Sequence, residues 1–376
     1  MGAYARAGVN YSNIIGFKHA MTEMGKGTRF FPQIRNVTIG VGGTHYYTGS
    51  KSHAWKQVTE GLGNKNWIAS WMEMFAGTDR TYHEGIGVDT IRMATNDLLP
   101  FRALPVVYTD EVAAGQDRWF SERPKRTLDL VESFYRGCME DGCALVQGES
   151  PALRFLINTR TVPFNATAPF HCPSFSGCAT GIITPLERFE EVQPVQAGDA
   201  IIGVLSSDWH CNGATLIIRK AMELPDKFLT KLPNGKTLGE QALTETRSYV
   251  HLVESLLAQN VEMHQIQPIT GGGISKLATY ERPFRYYITN WPKLPPLCEF
   301  MREQFSLSVA DSYTTFNNGI GLCIIAPPGE TDKILKVGDL TGYGLSVLGY
   351  VHEAESGKAD VLLNHEGDTI LHPPEE

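Results

Sequence analysis

The chain has 376 residues, 42% of them hydrophobic and 20% charged, with a net charge of −8. That length suffices for two domains with cores of their own, and the acidic balance gives no electrostatic reason to expect nucleic acid or an anionic membrane as a partner. Seven cysteines without a C-x-x-C pair argue against a disulfide framework, and the absence of a long apolar run or a signal-peptide pattern sets the expectation of a cytoplasmic protein. His171, Cys172 and Cys178 fit no common zinc spacing.

In chain order, residues 1–75 are rich in glycine, aromatics and turn signals and read as irregular, with "VTIGV" (37–41) the clearest strand. "VDTIRMATNDLL" (88–99) has helical apolar spacing and ends before Pro100, and "ALPVVYTDEVA" follows as a strand. "RTLDLVESFYRGCMEDG" (126–142) is an amphipathic helix stopped by Gly142, and "CALVQGES" is a buried strand. A Gln-, Pro- and Gly-rich approach to the strand "AIIGVL" suggests a boundary near residue 190, giving domains 1–190 and 191–376. Beyond it come the helices "NGATLIIRKAM" and "ETRSYVHLVESLLAQN", the loop "ITGGGISKLA" and the strands "GLCIIAPP" and "YGLSVLGYVHE". Residues 281–297 read as a long surface connection. The fold class is mixed α/β.

Four places carry candidate chemistry. In "SSDWHCNG" a polar turn joins strand to helix, where backbone amides favour an anion and His210 can exchange a proton near neutral pH. Packing of His210 and capping by Asn212 and Gly213 explain the same residues equally well. "ITGGGI" lets the backbone approach a phosphate, or is simply a tight turn, since it matches no nucleotide fingerprint. Asp79, Asp97 and Glu149 end apolar elements and suit Mg²⁺ held with nucleotide phosphates, although each alone reads as a cap or a solvated acid. "YTTFNNGIG" is a turn.

Read together, "YARAGVNYSN", "GTD", "GVDTIRMATNDLL", "GCMEDGCALVQGES", "AGDAIIGVLSSDWHCNGATLIIRK", "TRSYVHLVESLL", "ITGGGI" and "YTTFNNGIGLCI" resemble, in order, the aminoimidazole ribonucleotide synthetase (phosphoribosylformylglycinamidine cyclo-ligase) family. The resemblance implies two α/β domains and a homodimer whose N-terminal strands form a shared barrel with ATP at the interface. It implies closure of formylglycinamidine ribonucleotide to aminoimidazole ribonucleotide through phosphorylation of the formamide oxygen. By similarity His210, Asn212 and Glu149 are catalytic, and Asp79, Arg80, Asn96, Asp97 and Gly271, Gly272 and Gly273 serve the nucleotide. Ser207, Gly213, Thr246 and Arg247 belong to the substrate pocket, and Asp79, Asp97 and Glu149 to Mg²⁺. The family continues "GTD" as a glycine-rich stretch ending in lysine; after Asp79 that lysine is absent, and Arg80 and His83 offer positive groups instead. Pro268 replaces a family histidine, with His264 upstream, and Gln147 a family glycine. Two other expectations stay open: a relative turned to another ATP-dependent amide or amidine activation, and a non-catalytic nucleotide-binding protein on the same scaffold.

Overall fold

An N-cap and four apolar residues on one face make the first helix. In the computed structural model, which describes residues 10–157, 171–279, 282–354 and 357–373, helix α1 spans Tyr11–Thr28. The Asn10 side chain accepts the Ser12 amide, and Ile14, Phe17, Met21 and Met24 line the buried face. Gly25 lies on that face too, and a Cβ there would fall 2.7 Å from the Leu145 carbonyl oxygen, so the glycine allows α1 to seat closely. The first 75 residues are therefore more regular than expected. After the hairpin β1 (Val37–Ile39) and β2 (His45–Tyr47) come strand β3 (Ala54–Gly61) and helix α2 (Lys65–Phe75).

Helix α3 (Ile86–Asn96) is buried along its whole length, which two-sided packing explains. Strand β4 (Leu104–Ala113) and helix α4 (Pro124–Asp141) follow. Helix α4 begins with Pro124 in its first turn and ends at Gly142, whose left-handed φ of 68° lets its N–H reach the Cys138 and Met139 carbonyls. Strands β5 (Ala144–Glu149) and β6 (Ser174–Ile183) complete a four-stranded sheet of order β3-β6-β4-β5, antiparallel except for the β4–β5 pair. In its register Glu60, Gly177, Asp110 and Gly148 form one row across all four strands, so their Cβ directions share a face.

The second half builds a seven-stranded sheet. Its elements are β7 (Ala200–Leu205), α5 (Ala214–Glu223), α6 (Val250–Ala258), β8 (Gln265–Pro268), β9 (Phe284–Ile288), α7 (Pro296–Gln304), β10 (Ile320–Ala326), α8 (Thr331–Thr341), β11 (Leu345–Glu353), β12 (Asp360–Leu363) and β13 (Thr369–Leu371). Strand order is β13-β12-β9-β11-β7-β10-β8, antiparallel except for β12–β9. Strand β10 is buried at every position, as its unbroken apolar run requires. The stretch 281–297 is not merely a connection: Phe284, Tyr286 and Ile288 alternate inward as strand β9. The helix expected over 245–260 starts only at Val250, because Thr244–Tyr249 take no regular structure.

One apolar cluster crosses between the halves. Trp67 and Trp71 of α2 pack on Phe228, with ring centroids 6.2 and 5.2 Å apart, and Ile217 and Ala221 of α5 join the same cluster. No helix among the described residues is long and apolar enough to cross a membrane.

Candidate active site

The turn from Ser207 to Gly213 leaves β7 and enters α5 with the side chains of His210 and Asn212 facing different surroundings. His210 has φ of 66° and is 5% exposed. Its Nε2 lies 3.4 Å from the Tyr249 hydroxyl, and the ring packs where Gly321 leaves room: a Cβ at 321 would fall 1.8 Å from that hydroxyl and 2.5 Å from the imidazole. Burial, with Lys65, Arg92 and Arg247 adding to it, drives the His210 pKa down to about 3, so the ring is neutral at pH 7. Asn212 turns toward the glycine loop, where its Oδ1 lies 3.7 Å from a Cβ placed on Gly271. Its Nδ2 is buried without a hydrogen-bond partner. Gly213 has φ of 90° and sits against Phe316, where no side chain fits. The Asn317 amide, from the segment read as a plain turn, donates to the Asp208 carbonyl at 2.9 Å and holds this turn from below.

A second strand-to-helix turn, Leu62–Asn64 between β3 and α2, lies beside the first: Asn64 Nδ2 donates to the Thr215 hydroxyl in the first turn of α5 at 2.9 Å. Two helix N-termini, those of α2 and α5, thus lie side by side. Lys276 donates to the Thr270 hydroxyl at 2.5 Å, next to Gly271. Its charge reaches Asp97 and Glu60, but burial outweighs it in both, raising the Asp97 pKa to about 6 and that of Glu60 above its ordinary range. Asp97 Oδ1 is buried and unpartnered. Gly272 and Gly273 have φ of 85° and 57°, and Gly273 lies too close to the Tyr313 carbonyl to carry a side chain.

The structure puts Asp79 and Arg80 elsewhere. Both are exposed on the loop after α2; Lys125 donates to the Asp79 carbonyl at 3.3 Å, and Arg80 pairs with Glu84 at 3.4 Å and covers the Tyr82 ring. His83 is no substitute cation. It is fully buried, its Nδ1 faces the Thr81 carbonyl at 2.6 Å, and burial with nearby Arg126 lowers its pKa to about 3. A glycine-containing run ending in lysine does exist, but at Thr59–Lys65, where it spans the end of β3, the turn and the first residue of α2. His264 is held by Asp199 at 2.7 Å and Glu262 at 3.2 Å, and Pro268 ends strand β8.

Glu149 is exposed and pairs with Lys18 at 2.9 Å, which lowers its pKa. Beside it lies a small cavity of about 120 Å³ lined by Lys18, Lys26 and Arg29 of the α1 region and by Asp110 and Gly148. Asp110 is 7% exposed, and its Oδ1 has no partner. Burial, followed by the charge of Glu149, pushes its pKa to about 7. A Cβ at Gly148 would fall 2.3 Å from that same oxygen. The sequence reading missed Asp110 and Glu60; the signal was an acid near the end of each of two strands, opposite glycine. Asp79, Asp97 and Glu149 do not form one cation cage: among the described residues no group of three His, Cys, Asp or Glu side chains is placed to hold a metal.

Ser207, Thr246 and Arg247 do come together, in an open cleft of about 700 Å³ completed by Arg92, His251 and Tyr343. Arg247 donates to the Gly342 carbonyl at 2.8 Å and stacks on Tyr343 at 4.6 Å. Asn96 faces inward beneath this cleft, its Nδ2 donating to the Arg247 carbonyl and its Oδ1 accepting the Tyr249 amide, both at 3.0 Å. Cys211, buried and with its pKa pushed up to about 12 by burial, touches the Thr246 hydroxyl at 3.2 Å.

Comparison with known proteins places the whole chain. Over 340 residues the chain is 31% identical to the phosphoribosylformylglycinamidine cyclo-ligase of Carboxydothermus hydrogenoformans, covering 88% of this chain and 90% of that one. The chain belongs to the aminoimidazole ribonucleotide (AIR) synthetase family. Residues 196–361 match the family model described as AIR synthase related protein, C-terminal domain. The cyclo-ligase of Thermoanaerobacter pseudethanolicus is 28% identical over 94% of this chain and 98% of its own. The AIR synthetase fold extends to hydrogenase maturation protein HypE in complex with ATP, at a TM-score of 0.57 and 16% identity over 89% of this chain and 88% of that one.

Proposed function

We propose that the protein closes formylglycinamidine ribonucleotide to aminoimidazole ribonucleotide at the expense of ATP. The observation that carries this reading is the 31% identity to a cyclo-ligase across nearly the whole chain. In the reaction the formamide oxygen attacks the γ-phosphorus and ADP leaves. The amidine nitrogen then bonds to the formamide carbon, the bond from that carbon to the phosphorylated oxygen breaks so that phosphate departs, and a nitrogen proton is lost.

The described residues offer a nucleotide charge and amides, and offer its cation separate carboxylates rather than a preformed cage. Lys18, Lys26 and Arg29 offer positive charge to phosphates, and the paired helix N-termini beside Asn212 and Gly271 offer amides. The unpartnered oxygens of Asp110 and Asp97, with Glu60 in the same sheet row as Asp110, are the donor type that Mg²⁺ takes together with phosphate oxygens and water. When bound, Mg²⁺ would offset phosphate charge; the chain's own part is to orient the reactants and exclude water. We assign the acidic role expected of Asp79 to Glu60, because the glycine run ending in Lys65 follows Glu60. Asn212 faces the reacting groups. His210, shut behind Tyr249 and Gly321, shapes the turn that presents Asn212. The cleft at Ser207, Thr246 and Arg247 takes the ribonucleotide.

Two further assignments belong to this proposal. The chain divides near residue 190, supported by a first sheet ending at Ile183 and a second beginning at Ala200. It works as a homodimer, supported by edge strand β3, which leaves Trp55, Gln57 and Thr59 exposed on one side. Sedimentation as a monomer at micromolar concentration would remove the second assignment. The reaction itself is tested by following ADP and aminoimidazole ribonucleotide from Mg-ATP with and without the substrate. Equal, substrate-dependent formation of both supports the cyclo-ligase; ATP hydrolysis indifferent to this ribonucleotide points to another amide or amidine.

A further inference from the structure

Thr244–Ser248 line the ribonucleotide cleft and, with Tyr249, belong to no helix or strand, yet five of the backbone groups of Thr244–Tyr249 are taken by side chains of the first half of the chain. Lys65 Nζ donates to the Thr244 carbonyl at 2.6 Å, and the Thr246 amide donates to Asp89 Oδ1 at 2.7 Å. Arg92 donates to the Thr246 carbonyl, and Asn96 holds the Arg247 carbonyl and the Tyr249 amide. Asp89, Arg92 and Asn96 follow one another at i, i+3 and i+7, so a single face of α3 grips the loop. At the centre Lys65 and Asp89 pair at 2.8 Å, both side chains 0% exposed.

We propose that Lys65 and Asp89 are positioning residues of the cleft, their buried ion pair fixing the backbone of Thr244 and Thr246 and thereby the direction of the Thr246 and Arg247 side chains. The proposal rests on the reading that this cleft takes the ribonucleotide. Neither group can touch a ligand, since neither is exposed. Stability alone does not account for the pair, because a buried ion pair is often matched or bettered by apolar residues of similar size. What apolar residues cannot do is accept the Thr246 N–H and donate to the Thr244 carbonyl at once. One ion pair with opposite spare hydrogen-bonding groups supplies both, and it sets the spacing between them.

Removing one partner would strand a buried charge and unfold the chain for reasons unrelated to the cleft. The test is therefore the double variant Lys65→Met/Asp89→Leu, whose side chains keep length and branching without charge. Melting temperature, hydrogen exchange of the whole protein, and kinetics with formylglycinamidine ribonucleotide and ATP are measured together. The expected result is a melting temperature within a few degrees of the parent and at least tenfold faster exchange at the Thr246 amide, with β7 and β10 unchanged. The KM for the ribonucleotide rises at least tenfold while that for ATP stays within twofold. A loop that stays protected in the folded double variant, or a loosened loop with an unchanged ribonucleotide KM, overturns the proposal. A loosened loop in a protein whose parent never turned over the ribonucleotide supports the positioning role and overturns only the choice of ligand. The parent alone gives a check that needs no variant: its Thr246 amide should exchange as slowly as a strand amide, and exchange at loop rates overturns the proposal.

Discussion

Two polar regions of this molecule differ in one respect that separates scaffold from site. Around Thr244–Tyr249, hydrogen bonds from Lys65, Asp89, Arg92 and Asn96 meet the backbone. Around the glycine loop and the end of β4, by contrast, Asp97 Oδ1, Asp110 Oδ1 and the Asn212 amide nitrogen are buried and unpartnered. Folding rarely tolerates such orphans, because each forfeits its hydration without replacement. In the first region most polar groups hold the loop, although Arg92 Nε is itself without a hydrogen-bond partner and Asp89 Oδ2 meets only the charge of Lys65. In the second, on the function proposed above, the unpartnered groups await a ligand. The raised pKa values of Asp97 and Asp110 express the same difference, since desolvation without a partner is what raises them.

Asp110→Asn breaks that contrast at its strongest point. It keeps shape and removes the charge, so kcat for ADP release is expected to fall about 100- to 1000-fold, on the scale of losing one preorganised electrostatic group. The melting temperature at pH 7.5 should not fall, because the variant no longer buries an unpaired carboxylate. A variant that melts earlier and turns over normally would place Asp110 in the scaffold instead.

Asn212→Ala and Asn96→Ala sharpen the comparison with one residue type in two settings. Asn212 is unpartnered through Nδ2, so its loss should leave thermal stability nearly unchanged while kcat drops roughly 10- to 100-fold. Asn96 satisfies two backbone groups, so its loss should cost about 1–3 kcal/mol in denaturant unfolding. If both variants lose stability equally, the distinction between the regions fails.

The pH dependence of stability carries the same sign argument. Asp110 in the folded chain holds its proton up to about pH 7, whereas an unfolded aspartate carboxyl releases it near pH 3.8. Between those values the folded state binds more protons, so the contribution of Asp110 is full below pH 3.8 and is lost as pH rises toward 7. Asp97 acts in the same direction up to about pH 6. Urea midpoints measured from pH 4 to 8 should show a shallower decline in Asp110→Asn than in the parent; parallel curves would show that Asp110 is not the group responsible.

What the sequence disclosed follows from where the information lies. Helices α3 and α4 and the strand β10 were legible because periodicity or an unbroken apolar run is a local property. Helix α1 was obscured by its glycines, one of which, Gly25, is there for close packing on β5. Strand β9 hid within a Pro- and Tyr-rich stretch whose alternation covers only five residues. Of the candidate site residues, Ser207, Thr246 and Arg247 were picked out by motif order, and the structure brings these three together in one cleft. Asp110 and Glu60 were not, because their significance is lateral: they meet in a row set by strand register, which no single segment reveals. Tyr249 and Gly321, which enclose His210, are likewise remote from it in sequence.

Glu149→Gln is the smallest change and separates proximity from function. Glu149 sits one residue past Gly148 in the register facing Asp110, yet its side chain is 62% exposed and tied to Lys18 at 2.9 Å. An exposed ion pair of this kind contributes no more than about 0.5–1 kcal/mol, so unfolding should barely change. Its electrostatic influence on Asp110 should persist in one measurable way: without the Glu149 charge, the pH at which Asp110 releases its proton should move down, since that charge adds to burial in raising it. A carbon-13 NMR titration of the Asp110 carboxyl would show the shift. If the variant also loses turnover more than tenfold at saturating Mg-ATP, Glu149 touches the nucleotide despite its salt bridge; if only the titration moves, Glu149 acts on the site through Asp110.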